Sequence, residues 1–118
     1  MTMTSILLAA LAATTPIQSG VPTDCSLTVS FGSYAMGIDQ NSLRKTERLL
    51  KRDRTVRSTT SHRWGREGEV TLCAKTRTPT QARTLFRRVR ALIPPNPRGP
   101  VTIETRTGQR ATISKPPR

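Results

Sequence analysis

Thr78-Pro79-Thr80-Gln81 constrains this chain more than any other stretch. Thr at an N-cap, Pro at the first helical position and Gln at the third make a capping box, so a helix is predicted to open there. Ala82, Leu85, Phe86, Val89, Leu92 and Ile93 follow at helical spacing, with Arg83, Arg87 and Arg90 on the outer face. Pro94-Pro95 ends the run, because neither ring can continue the hydrogen-bond ladder. A helix with one apolar stripe must bury it against a second layer, so its flanks decide the fold.

Those flanks alternate with period two. Cys25 to Phe31 and Glu69 to Lys75 alternate apolar and polar residues, as half-buried strands do. Thr55 to Trp64 is a more polar run, with Val56, Ser58, Thr60, His62 and Trp64 on one face, and Val101 to Thr105 is a short one. Gly65-Arg66-Glu67-Gly68 supplies turn chemistry between the second and third runs. A further helix is predicted from Asp39, which can cap it, to about Asp53, with Leu43, Thr46, Leu49 and Leu50 on one side. The order strand, helix, strand, strand, helix, strand implies an α+β, ferredoxin-like βαββαβ sandwich: two helices on one face of a four-stranded sheet. The first and third strands are expected at the centre, the second and fourth at the edges. Residues 21–107 would form this single domain, and residues 108–118 a basic, disordered tail.

The eight residues Ile6 to Ala13 are all Ile, Leu or Ala, too few to span a bilayer, which needs about 20. With Ala10-Leu11-Ala12 as a cleavage pattern they match a secretory signal within residues 1–20, although no Lys or Arg precedes them. A periplasmic or secreted location is therefore expected. Cys25 and Cys73 are the only cysteines, and two in an exported chain suggest a disulfide. Alternation speaks against it, since Cys25 falls with Leu27, Val29 and Phe31 while Cys73 falls with Thr71 and Lys75 on the other face. The bond stays open if Cys25 lies just before its strand.

Chemistry is sparse. One histidine, His62, and two distant cysteines do not make the usual four zinc ligands. Gly32 and Gly37 have the outer spacing of a phosphate loop, but Ile38-Asp39 stands where Lys and Ser or Thr are needed. The seven acids are scattered without a pair suited to acid–base work. No catalytic residue, metal or cofactor is expected, and the chain is read as a non-enzyme.

Charge is the remaining signal. Lys and Arg number 20 against 7 acids, a formal net charge of +13. Such a balance favours anionic partners: acidic lipid, lipopolysaccharide or an acidic protein. Arg44, Arg48 and Lys51 form one stripe and Arg83, Arg87 and Arg90 another; on two helices covering one sheet face they would make an anion-binding surface. The alternative is non-specific nucleic-acid binding. RNA-recognition sheets stack bases on aromatics of their central strands, and the first and third runs offer none on the open face, so only phosphate contacts would remain.

Overall fold

A computed structural model describes residues 24–115. The signal-like segment at 1–20 lies outside the described residues. The elements are β1 (Leu27–Phe31), α1 (Gln40–Arg52), β2 (Val56–Trp64), β3 (Glu69–Thr76), α2 (Pro79–Leu92), β4 (Val101–Thr105) and β5 (Arg110–Ile113). They make one antiparallel sheet in the order β2-β3-β1-β4-β5.

The four-stranded ferredoxin-like βαββαβ expectation is overturned by β5. Chain from Gly108 onward, expected as a tail, instead turns back at Gly108 (φ 108°) and pairs Arg110 to Ile113 along β4. A left-handed residue is where a hairpin turn needs glycine. The consequence is that β4 is an interior strand rather than an edge. Its alternate residues Val101 and Ile103 are fully buried.

Both helices are fixed by their caps. Asp39 accepts the Ser42 N–H at 3.0 Å to start α1, and Thr78 Oγ1 accepts the Gln81 N–H at 3.1 Å to start α2. Gln81 does not return the contact to the cap residue itself; its Oε1 takes the Arg77 N–H at 3.1 Å, one residue earlier. The core lies between the helices and one face of the sheet. Leu27, Val29, Phe31, Leu72, Ala74, Val101 and Ile103 meet Leu50, Leu85, Phe86 and Val89 there. Aliphatic side chains dominate it, so its stabilisation follows the apolar area removed from water. Backbone approaches closely at one end of β1: Gly32 N–H donates to the Pro100 carbonyl at 2.8 Å, and a Cβ on Gly99 would lie 2.0 Å from the Gly32 carbonyl oxygen.

Cys25 and Cys73 are joined, with their Cα atoms 5.4 Å apart. Cys73 belongs to the sheet face away from the helices, and Cys25 reaches it because it precedes β1 and escapes that strand's alternation. Ser26 makes the bend, its Oγ accepting the Thr76 N–H at 2.8 Å. Asp24 then pairs with Lys75, on the same face as Cys73, at 2.8 Å. The chain before β1 thus crosses the outer face of β3.

Candidate anion-binding surface

α1 is amphipathic by position. Ser42, Thr46 and Leu50 recur every fourth residue and are buried, and Thr46 Oγ1 satisfies itself on the Ser42 carbonyl at 2.8 Å. The same period leaves Arg44, Arg48 and Lys51 on the solvent side, all exposed. On α2 the buried stripe is Ala82, Leu85, Phe86 and Val89, and Arg83, Arg87 and Arg90 are exposed. None of the six cations enters an ion pair among the described residues. Arg83 makes one local contact, donating to Thr80 Oγ1 at 3.1 Å.

The two helices lie on one face of the sheet and touch. Their junction includes a residue that sequence reasoning passed over. Arg88 pairs with Asp53, the C-cap of α1, whose side chain is only 5% exposed. Burial alone would raise the Asp53 carboxyl; hydrogen bonds from the Thr55 hydroxyl and N–H, with the Arg88 charge, outweigh it and leave the carboxyl below its ordinary range. Because Arg88 marks the side of α2 turned toward α1, a turn of about 100° per residue puts Arg83 and Arg90 on the far flank. Thr84, Ala91 and Arg87 stand between. Both stripes thus lie on the outside of the helical layer.

The opposite face of the sheet differs from the expected open, polar surface. Thr71 and Cys73 are 4% and 3% exposed. Trp64, from β2, lies over this face and donates Nε1–H to Thr71 Oγ1 at 3.0 Å, while Ser30 Oγ meets the same hydroxyl at 2.8 Å. Period-two alternation had already placed Trp64 on the face of His62; its reach across to β3 had no signal in the sequence. One aromatic on an edge strand is not the two-strand stacking platform of RNA-recognition sheets.

Among the described residues no cluster of three or more His, Cys, Asp or Glu could hold a metal ion, and no helix is long and apolar enough to cross a membrane. Both cysteines are taken up in the disulfide. No family model, no curated protein and no solved structure matches this chain.

Proposed function

We propose that this is a small non-enzymatic binding protein of the bacterial periplasm or exterior, which engages anionic envelope lipid or lipopolysaccharide through the outside of its helical layer. The observation that carries the reading is the state of the six cations: Arg44, Arg48, Lys51, Arg83, Arg87 and Arg90 are all exposed and unneutralised by any ion pair among the described residues. Their spread over two neighbouring helices suits an extended charged sheet of headgroups better than one compact ligand. A basic residue close to an anionic membrane contributes about 1 kcal/mol. Three engaged side chains would then give roughly a hundredfold enrichment at the surface. The extracellular placement is supported by the disulfide, since such bonds persist in oxidising compartments.

Co-sedimentation with vesicles tests this. The protein is expected to pellet with phosphatidylglycerol-containing vesicles and not with pure phosphatidylcholine, and to be released by salt. The combined substitutions Arg44→Glu, Arg48→Glu, Arg83→Glu and Arg87→Glu should abolish pelleting while the circular dichroism spectrum is unchanged. Undiminished pelleting of that variant would overturn the reading.

A further inference from the structure

The sheet has two edges, β5 and β2, and they are unlike. β5 is four residues long, whereas β2 is nine and, among the described residues, pairs with β3 alone. All of β2 is solvent-exposed except Val56 and His62, which are half-buried. Edges are protected by being short, interrupted by proline or a bulge, charged, or covered. β2 has no proline, and its one register shift sits at its start, between Val56 and Ser58. Among the described residues no strand pairs with its outward backbone groups, which can pair with another chain.

Charge selects which chain. Residues 54–66 contain four arginines and no carboxylate, with Arg57 and Arg63 bracketing an uncharged stretch from Ser58 to Ser61. A second copy pairing antiparallel with full overlap would centre on Thr60 and set Arg57 of each chain against Arg63 of the other. Like charges directly opposite are destabilising, so the edge rejects itself. At the start of β2, a cleft of ≈ 470 Å³ is lined by Arg54, Thr55, Val56, Arg57, Arg77 and Gln81. Three guanidiniums around one opening favour carboxylates.

We propose that β2 is a docking edge for an extended acidic polypeptide segment, which adds a strand to the sheet by backbone hydrogen bonding and sets its carboxylates against Arg57, Arg63 and the Arg54–Arg77 cleft. None of the six cations of the helical layer lines this edge or its cleft, so the two readings stand or fall apart.

The test uses the full chain and a fluorescein-labelled peptide of about ten alternating Glu and Thr residues, followed by anisotropy. Saturable binding is expected, weakened about tenfold or more by Arg57→Glu with Arg63→Glu and retained by Arg44→Glu with Arg48→Glu. Two further peptides carry N-methyl groups on alternate backbone nitrogens, one in each frame, and at least one should lose binding to the unaltered protein. No binding of the parent peptide, or equal binding of both methylated peptides, would overturn strand addition; the second result would leave charge attraction alone. Loss of binding in the helix-layer variant with retention in the β2 variant would move the acidic partner to the helices and overturn the proposal equally.

Discussion

Asp39 and Arg98 are 59 residues apart and joined through one carboxylate: Asp39 Oδ2 accepts the Arg98 N–H at 3.0 Å while Oδ1 accepts the Ser42 N–H. The first oxygen holds the loop before β4, and the second starts α1. Asp39 is 7% exposed, so both N–H groups would be left poorly paired by its loss. Asp39→Ala is expected to destabilise by about 2–3 kcal/mol, the cap and the stranded N–H together. Thr78→Ala, which removes only a cap, should cost about 1 kcal/mol. Urea melts of the two variants measure the difference, and equal losses would mean that the Arg98 contact contributes nothing.

The same carboxylate sets an acid response. Burial alone would raise the Asp39 carboxyl, but hydrogen bonds from the Arg98 N–H and from Ser42 outweigh it and hold the group below the ordinary aspartate value of 3.8. Asp53 is depressed likewise. Between the folded value and 3.8 the unfolded chain binds more protons, so stability rises with pH there. The contribution is complete above the unfolded value and is lost as pH falls through the folded one. Unfolding free energy should therefore be flat in this term near neutrality and fall on acidification below about 4. Asp39→Asn should show a shallower acid slope; an unchanged slope would assign the response elsewhere.

Removing the disulfide should weaken the fold without altering the helical layer. It closes a loop with a sequence separation of 48. Chain entropy alone puts its contribution at about 4 kcal/mol, and native disulfides in small domains span about 2–5. Cys25→Ser with Cys73→Ser, compared with the parent protein in and out of reductant, measures it by thermal unfolding. A shift in melting temperature of under about 2 °C would mean that the chain before β1 is held by Asp24–Lys75 and Ser26 alone.

Ending the chain before Gly108 should be costly. It removes β5, whose Ala111 and Ile113 pack against the core, and opens the β4 edge. Lost ladder bonds and apolar contact together amount to about 2–4 kcal/mol. An uncovered edge beside buried Val101 and Ile103 should also promote self-association, visible by light scattering. Unchanged stability and a monodisperse product would show β5 to be dispensable.

Helices were legible because their signals are local: Asp39 and Thr78 act on residues three further on. The fifth strand was not, because Arg110-Ala111-Thr112-Ile113 is too short for alternation to separate it from a polar tail. Gly108 after Thr107 was the available clue, a turn residue followed by a fragment rich in β-formers. The disulfide turned on whether Cys25 belonged to β1, a boundary shift of two residues that periodicity does not resolve. The cations of the candidate surface were identifiable one by one. The pairing of Arg88 with Asp53 at the junction of the two helices was not, because it joins distant segments that no local pattern encodes.

The bond from Cys25 to Cys73 also sets where tension travels. A pull on the chain ahead of Asp24 enters at Cys25 and passes through sulfur into β3. Residues 26–72, which include β1, α1 and β2, are bypassed and cannot be drawn out from that end while the bond is intact. Of the described residues after Cys25, those beyond Cys73 are the ones that can be drawn out from that end. Mechanically, residues 25–73 form a sealed ring, and opening the sulfur–sulfur bond is what lengthens it.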